Sequence, residues 1–596
     1  MSRIVSTAPQ GEVDRARSCA APSAAHILRY PRDTQPWQRL RRAALIGAVA
    51  VATAIAGCGG GGSGSATSPT AEGSAPPTAN EAARFLVQAT YGPTQLDVAA
   101  VQAGGYRAWI DSQFNTAPLG THLAYYNAQN VCSSCVEAGH NAVAESFWRQ
   151  AVNGPDQLRQ RVTFALSQIF VISLVNSSLD AAPMAAASYL DTLSQHAFGN
   201  FRDLLEAVTL HPAMGRYLSH LGNDKENTAT GRMPDENYAR EVMQLFTIGL
   251  WELNEDGTRR KSNGQDIPTY GQAEVMGMAK VFTGWSWAGP DTGEGRWLGW
   301  VNSVLTEPWD QPMQPYPQHH STSEKRIVRG VVIPAGTGAR ESLKIALDTL
   351  FNHPNVGPFI GRQLIQRLVT SNPSPSYVAR VARAFNNNGA GVRGDMKAVI
   401  RAVLLDPEAR DAAKLADANW GKLREPVVRV ANWARLFGAG SPSGRLRINS
   451  LHDPIEGVGQ GPLRSPSVFN FFRPDYSPAG DVRAAGLVAP EFQITHETTA
   501  SAYINFMVQT IEQGYGWGDN LITASYVNEL ALASQPEQLV ARLDQLLLAG
   551  QMSTSTRDTI LGAVNAVPMT EADAAKRRVW IAVTLAMACP EYLIQK

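Results

Sequence analysis

Four polar residues suited to binding or catalysis recur at helical spacing in "PDENYAREVMQLFTIGL", residues 234–250. Asn237, Arg240, Glu241 and Gln244 fall on one face of such a helix, opposite an apolar face. The carboxyl group of Glu241 could transfer protons, and the guanidinium of Arg240 could clamp an anion. The same face could instead form a buried hydrogen-bond network that only supports the fold.

A second cluster of reactive side chains lies in "QHHSTSEK". His319 and His320 could bind a metal or serve as a general base, and Lys325 adds a cation. Adjacent histidines reach one ion only if the loop is bent to arrange it. We expect a buried polar network that joins this loop to the helix carrying Arg240 and Glu241.

Oxygen ligands for a divalent cation are available in "LNEDGTRRKSNGQDIPTY". Asn254, Asp256 and Asp266 lie among glycines, as Ca²⁺ ligands do on tight loops. Their spacing does not match an EF-hand, and a simple polar turn has the same composition. The sequence therefore leaves a divalent cation open and implies no firm cofactor.

An aromatic cluster follows in a stretch rich in Gly and Pro, and it consists of Trp285, Trp287, Trp297, Trp300 and Trp309. Tryptophan faces stack well on sugar rings and planar ligands, so the stretch could form a binding groove. The rings could instead fill a core between two helical lobes, because tryptophan is largely buried on average.

The elements that must position these residues are predicted to be helices. "DQLRQRVTFALSQIF" repeats apolar residues at helical spacing, and similar stripes recur through the C-terminal half. One short hairpin is predicted between Ile327 and Ile333, turning at Arg329-Gly330. The sequence therefore predicts an all-α fold: a large multi-helix domain with a few short strands or hairpins in its middle loops.

A junction of one residue followed by proline recurs between apolar helical segments: His211-Pro212, His353-Pro354, Asp406-Pro407 and Cys589-Pro590. Proline suits the first helical turn because its missing N–H would be unpaired there. We therefore predict that these junctions start helices and that the two histidines act as caps and not as metal ligands.

Composition limits the class of protein. The chain has 596 residues, of which 44% are hydrophobic and 17% charged, so it can bury a large core. Lys plus Arg equals Asp plus Glu at 52 each. Nucleic-acid binding proteins usually carry a basic excess, so no nucleic-acid partner is expected.

The N-terminus predicts export and a lipid anchor. Basic residues precede an apolar run over 43–57 that is short for a membrane span and ends at Cys58. Ile55-Ala56-Gly57-Cys58 resembles a bacterial lipobox, in which the cysteine is acylated and becomes the mature N-terminus. A plain signal peptide or a twin-arginine signal at Arg41-Arg42 is the alternative. Residues 1–57 then form a signal peptide whose n-region is long, so translation could start after Met1.

The predicted mature chain begins with a tether. Residues 58–80 are rich in Gly, Ser and Pro and would reach about 25 Å as a random coil. A capping-box pattern from Thr78 to Glu81 then starts the first helix. Residues 81–596 are predicted to form one helical domain, in which 81–287 and 335–596 could be lobes joined by the Trp/Pro-rich segment 288–334.

Two cysteines, Cys132 and Cys135, are close enough in sequence to form a local disulfide in an exported protein. A c-type haem site would need histidine where Val136 stands, and zinc binding with His140 lacks a fourth ligand. Redox catalysis would need a thioredoxin-like setting. Cys589, in an apolar helix, is expected to be buried and inert.

Six segments resemble a bacterial family known as domain of unknown function 1800, and together they cover the chain from about Ala82 to near its end. The most specific are Asn-Tyr-Ala-Arg-Glu at 237–241 and Thr-Gly-Trp at 283–285. Two residues depart from the expected pattern, which has Glu in place of Gln244 and Asp in place of Ser321. The resemblance implies export and a helical fold, but no activity, cofactor or catalytic residue. The segments are "AARFLVQATYGPT", "HAFGNFRDLLEAVTLHPAMGRYLSHLGN", "PDENYAREVMQLFTIGL", "AKVFTGW", "NHPNVGPFIGRQLIQRLV" and "GQGPLRSPSVFNFFRPDYSPAG".

Three functions remain open. The first is a membrane-anchored envelope lipoprotein, facing the periplasm or the cell surface, that binds or assembles an envelope glycan or a secreted partner. The second is an envelope enzyme, hydrolase-like or metal-assisted, that uses the helix of Glu241 and the loop of His319 and His320. The third is a purely structural helical protein. The sequence lacks a G-x-S-x-G elbow, so it names no nucleophile and leaves catalysis undecided.

Overall fold

The computed structural model describes residues 76–132, 135–175, 177–299 and 307–596. These residues form 24 α-helices and four antiparallel sheets of two short strands each, which confirms the all-α prediction. Among them no helix is long and apolar enough to cross a membrane. The predicted signal peptide, the lipid attachment site at Cys58, most of the tether and Trp300 lie outside the described residues.

The helices follow one another through most of the described chain. The first are α1 (Ala79–Ala89), α2 (Gln95–Asn115), α3 (His122–Ala128), α4 (Val136–Asn153), α5 (Gln157–Ser167), α6 (Pro183–His196), α7 (Phe201–Leu210) and α8 (Pro212–Tyr217). The middle region holds α9 (Asn237–Gln244), α10 (Gln272–Val281), α11 (Glu294–Trp297), α12 (Ala339–Phe351), α13 (Val356–Leu368), α14 (Pro375–Asn386), α15 (Met396–Leu404) and α16 (Pro407–Arg410). The last are α17 (Pro426–Leu436), α18 (Asp481–Ala484), α19 (Glu497–Gln513), α20 (Val527–Leu530), α21 (Pro536–Leu543), α22 (Thr554–Asn565), α23 (Ala574–Ala588) and α24 (Pro590–Leu593).

The strands form short pairs between these helices. They are β1 (Lys261–Ser262) with β2 (Gln265–Asp266), β3 (Trp285–Ser286) with β4 (Gln314–Pro315), β5 (Lys325–Arg326) with β6 (Val332–Ile333), and β7 (Lys422–Leu423) with β8 (Ile594–Gln595). The pair of β5 and β6 is the predicted hairpin, and Arg329 takes a left-handed φ of 60° in its turn.

Local capping chemistry starts helix α1 as the sequence predicts. The Thr78 hydroxyl accepts a hydrogen bond from the Glu81 backbone N–H at 3.3 Å, and the Glu81 carboxylate accepts one from the Thr78 N–H at 2.8 Å. This reciprocal pair satisfies two backbone donors that would otherwise lack partners.

Three of the four proline junctions begin helices directly, at Pro212, Pro407 and Pro590. At the fourth junction α13 begins two residues after the proline. His211 Nδ1 accepts a hydrogen bond from a backbone N–H two residues on at 3.1 Å, and His353 Nδ1 does the same. His211 therefore caps α8, as predicted, whereas the bond to His353 closes the turn before α13, whose N-cap is Asn355.

Residues 74–596 form one compact unit with two clusters of buried apolar side chains. The larger cluster gathers side chains from α1 through α15, and the smaller one is built mainly on α17, α19, α21 and α23. Helix α4 contributes to both, with Val143 in the first cluster and Phe147 in the second. This helix therefore lies where the two clusters meet.

A group of charged side chains is buried beside α17. Lys422 Nζ lies 2.9 Å from Glu491 Oε1 and 3.4 Å from Glu425 Oε1. Burial raises the pKa of Glu491. Burial also opposes ionisation of Glu425, but the charges of Lys422 and Arg161 outweigh it and lower the pKa of that carboxyl. Buried charges of this kind are stable only while each keeps its partner.

The described cysteines occupy two environments. Cys132 and Cys135 are joined by a disulfide just before α4. Cys589 is a buried free thiol at the end of α23, and burial raises its pKa to about 12. A thiol in that state is almost entirely protonated at neutral pH and is a poor nucleophile.

Candidate functional site

Helix α9 carries the predicted polar face, and Arg240 lies at its exposed side. The guanidinium NH2 of Arg240 lies 2.5 Å from Glu236 Oε2 and donates to Gln272 Oε1 at 2.9 Å. Its charge is therefore already paired at the surface, where such a pair contributes about 0–1 kcal/mol. The interpretation of Arg240 as an open anion clamp has no support from this geometry.

Glu241 is the residue of this face with the most site-like surroundings. It is half-buried, and its Oε2 atom has no hydrogen-bond partner among the described residues. Burial raises its pKa, partly offset by Arg240. Tyr217 and Tyr270 are its neighbours, and burial followed by the charge of Glu241 raises the pKa of each to about 12. Nearby, Asn237 Nδ2 donates to a serine hydroxyl at 3.5 Å.

The predicted network from α9 to the histidine loop does not form through Arg240 or Glu241, so that expectation is wrong within the described chain. Both side chains face Tyr270 and Gln272 at the start of α10. The two regions are connected instead by the segment beginning at Asn223. That side chain exchanges hydrogen bonds with the Asp235 backbone at 2.9 and 3.2 Å, and the N–H of residue 225 donates to the carbonyl of residue 319 at 3.0 Å.

The two histidines of the loop point at different partners. The His319 ring nitrogens lie 3.2 Å from Asp224 Oδ1 and 3.1 Å from Glu294 Oε2. The ring is stacked on Trp297 at 3.9 Å. His320 Nδ1 donates to the Thr283 carbonyl at 2.8 Å, and burial lowers the pKa of His320. In this arrangement the two rings do not share one position for an ion.

A buried polar cluster surrounds Lys325. The hydroxyls of Ser321 and Ser323 donate to Glu226 Oε1 at 2.9 and 2.6 Å. Lys325 Nζ donates to the Ser323 carbonyl at 3.3 Å, and burial lowers its pKa to about 8. The resemblance led us to expect Asp at the position of Ser321, and here the carboxylate comes from Glu226, 95 residues away in sequence.

The specific Thr-Gly-Trp motif has a packing reason. Gly284 has a φ of 73°, and a Cβ atom there would lie 2.7 Å from the backbone nitrogen of His320. Only glycine meets both conditions, because other residues rarely adopt that φ and would collide. The motif therefore holds the histidine loop against the start of β3.

The four described tryptophans of the aromatic stretch are buried. Their exposed fractions are 1% for Trp285, 6% for Trp287, 4% for Trp297 and 1% for Trp309. Trp287 meets Trp309 edge to face at 4.8 Å. Of the two interpretations of this stretch, a packed core agrees with the burial of these four rings, and an exposed binding groove does not.

The weak calcium candidates are engaged in local hydrogen bonds. The Asp256 carboxylate accepts from the Thr258 N–H at 2.9 Å and from its hydroxyl at 2.6 Å. Asp266 lies 2.7 Å from Arg259. Asn254 Nδ2 donates to the same Thr258 hydroxyl at 2.9 Å. This is the geometry of a polar turn, and across the described chain no group of three or more His, Cys, Asp or Glu could hold a metal ion.

A cleft that the sequence did not reveal opens beside α4, and we call it the Arg464 cleft. It has a volume of about 110 Å³. One face of α4 forms a wall, because residues three or four apart share a side of a helix. The lining residues are Glu137, His140, Asn141, Val143, Ala144, Phe147, Leu174, Leu190, Ile448, Asn449, Ser450, Leu451, Gly461, Pro462, Leu463 and Arg464.

Polar groups gather at the Arg464 end of this cleft. Arg464 Nε donates to the His452 ring, whose Nδ1 is 3.1 Å away, and its NH1 lies 3.5 Å from His140 Nδ1. His140 Nε2 donates to the Asp180 carbonyl at 2.8 Å. Burial, followed by the charge of Arg464, lowers the pKa of His452 to about 4. His452 is therefore neutral at pH 7 and can accept a hydrogen bond.

Two lining residues have strained backbones. Ser450 and Leu463 take positive φ values of 56° and 55°. A residue other than glycine in this region costs about 1–3 kcal/mol, and such residues concentrate at functional sites. The Leu463 carbonyl accepts a hydrogen bond from the Leu174 N–H at 2.9 Å, which helps to hold this conformation.

Two features of the sequence contain residues that line the cleft. The segment "GQGPLRSP" contains Arg464 and belongs to one of the stretches that resemble the family. Helix α4 repeats Glu137, His140, Ala144 and Phe147 on one face, which mixes polar and apolar residues. Neither segment shows from its own sequence that the other lies beside it in the fold, because His140 and Arg464 are 324 positions apart.

The family model described as "Protein of unknown function (DUF1800)" matches residues 84–594 of the chain. The match covers all of the helices from α2 onwards and both sides of the Arg464 cleft. A search of curated proteins found no match, and neither did a search of solved structures.

Proposed function

Because the chain belongs to the DUF1800 family, whose description gives no function, we propose from its own features that it is an exported envelope lipoprotein acting as a binding component. The apolar run over 43–57 and the lipobox at Cys58 support export and a lipid anchor. The ligand is an envelope glycan or a segment of a secreted partner, and one end of it binds in the Arg464 cleft.

The observation that carries this proposal is the position and lining of the cleft. It lies where the two clusters of buried side chains meet: Leu190 and Leu463 belong to one cluster and Phe147 and Leu451 to the other. Ligand sites favour such boundaries, and they combine apolar walls with a few convergent polar groups. Arg464 supplies the charged group here.

A second candidate function is an envelope enzyme that uses the cluster around Lys325. The supporting observation is the pKa of Lys325, which burial lowers to about 8, beside two hydroxyls and the Glu226 carboxylate. Perturbed groups of this kind concentrate at catalytic sites but also occur in structural networks. His320 and Lys325 both donate to backbone carbonyls, and neither lines the Arg464 cleft, so binding is the better supported function.

The test separates anchoring from binding. The Cys58→Ser chain should leave the membrane fraction, because the lipid attachment site is lost. That soluble chain should then retain envelope glycan fragments or peptides on a column, whereas the added Ala144→Trp change should abolish retention by filling the cleft. Ala103→Trp, at an exposed site on α2, is the matched control. Retention that is equal in all three chains would refute the cleft as the binding site.

A further inference from the structure

The Arg464 guanidinium has no carboxylate partner. Its hydrogen-bond neighbours are the rings of His140 and His452, and within the described chain no carboxylate oxygen lies within 4.0 Å of it. Burial lowers the pKa of Arg464, and the charge of Asp180 opposes that shift. A partly buried arginine is normally paired with an anion, because removing its charge from water is costly.

The two rings hold the guanidinium without neutralising it. His452 is neutral and accepts from Nε, while His140 donates from Nε2 to a backbone carbonyl and so presents a bare Nδ1 to Arg464. Each ring therefore engages one N–H donor of the Arg464 guanidinium. The NH2 group has no hydrogen-bond partner among the described residues, and NH1 contacts only His140, so one N–H of NH1 and one of NH2 can donate side by side to the two oxygens of a carboxylate.

A second donor lines the same cleft. Asn141 Oδ1 accepts from Asn449 Nδ2 at 2.7 Å, which fixes the orientation of the Asn141 amide. The Nδ2 group of Asn141 has no hydrogen-bond partner among the described residues. Glu137 also lines the cleft, but it is exposed and makes no ion pair with Arg464. The two open groups at Arg464 and Asn141 are therefore both donors, and such donors favour an acceptor with negative charge.

The size and the remaining walls limit the rest of the ligand. A volume of about 110 Å³ is smaller than the cavity of about 150 Å³ that can hold a benzene molecule. Phe147, Leu190, Ile448 and Leu451 provide apolar walls. A carboxylate that carries a small apolar group meets both ends of this cleft.

We propose that the Arg464 cleft binds a carboxylate attached to a small apolar group. This inference rests on the proposed function, because it names the ligand class of the same cleft. Two sources supply this chemistry: the carboxyl terminus of a peptide that ends in a small apolar residue, and a free short-chain acid. Both present the same carboxylate to Arg464 and the same apolar group to the walls.

The test compares acids with amides of the same shape, using ligand-detected NMR titration of the detergent-solubilised full chain. The probes are N-acetylalanine for the peptide source and butyrate for the free acid, each beside its amide. At least one acid should bind saturably and at least tenfold more tightly than its amide. Binding of only one acid identifies the source.

Variants locate the carboxylate. Arg464→Gln should weaken binding of the acid at least tenfold, and Arg473→Gln, an exposed arginine outside the cleft, should not change it. If Arg464→Gln does not fold, the acid–amide ratio of the wild-type chain and its loss in Ala144→Trp decide the question.

Two results would overturn the proposal. Equal binding of acid and amide that Ala144→Trp abolishes would disprove carboxylate selection and leave the cleft as a binding site. Absence of saturable binding by either acid at millimolar concentration would also reject it. Acid binding that persists unchanged in both Arg464→Gln and Ala144→Trp would reject the proposal and the cleft together.

Discussion

Replacing Lys422 by Met should be among the most destabilising single changes in this protein. The side chain is 1% exposed and lies between Glu425 and Glu491, whose side chains are 0% and 2% exposed. Methionine fills a similar volume but leaves two buried carboxyl groups without their shared cation. Breaking a buried pair in this way costs about 3–5 kcal/mol.

The structure places the expected value at the lower end of that range, about 3 kcal/mol. Glu425 keeps Arg161 at 3.9 Å and the amide of Gln460 at 2.8 Å. Burial already raises the pKa of Glu491, so this carboxyl can take up a proton when the cation is gone. Both effects limit the loss of stability in Lys422→Met.

Urea unfolding at pH 7 measures the free energy of the change, with Lys344→Met as the control. Lys344 pairs with Asp348 at the surface, where water screens the pair, so its loss should leave the free energy of unfolding close to the wild-type value. Adding Glu491→Gln to Lys422→Met should recover more than about 1 kcal/mol, since the two sites interact directly. A loss for Lys422→Met no larger than that of the control would refute the buried-pair reasoning.

Three further predictions follow from individual groups. Folding lowers the pKa of Lys325 from 10.5 to about 8, so the unfolded chain binds more protons between these values. Wild-type stability should therefore rise with pH across that window, and this rise should vanish in Lys325→Met; parallel curves for the two chains would contradict the assignment. Glu241→Gln should leave the free energy of unfolding at pH 7 unchanged or slightly higher, because burial already disfavours the charged form of Glu241; a loss near 3 kcal/mol in urea unfolding would make it a structural anchor. Thiol labelling without reductant should find Cys132 and Cys135 blocked because they form a disulfide, and labelling of both thiols in native extract would argue for a different role.

The parts of the fold set by neighbouring residues could be predicted from the sequence. The capping box of Thr78 and Glu81 acts over three residues, and the proline junctions act over two or three. The hairpin at Arg329-Gly330 is equally local. Each of these depends on interactions that a short stretch of sequence contains completely.

The parts of the structure that depend on residues far apart in the chain could not be predicted from the sequence. Ser321 meets Glu226 across 95 positions, and Arg464 meets His140 across 324. The aromatic stretch shows the same limit, because burial of Trp285 or Trp309 depends on helices elsewhere in the chain. The sequence therefore could not decide between a binding groove and a packed core for this stretch, and it did not reveal the Arg464 cleft.

Crystallography of the full chain with N-acetylalanine or butyrate, whichever binds, would locate the bound acid directly. We expect a carboxylate oxygen within about 3 Å of the Arg464 guanidinium and the apolar group against Phe147 and Leu451. An acid bound at another site, with Arg464 turned to pair with Glu137, would contradict it.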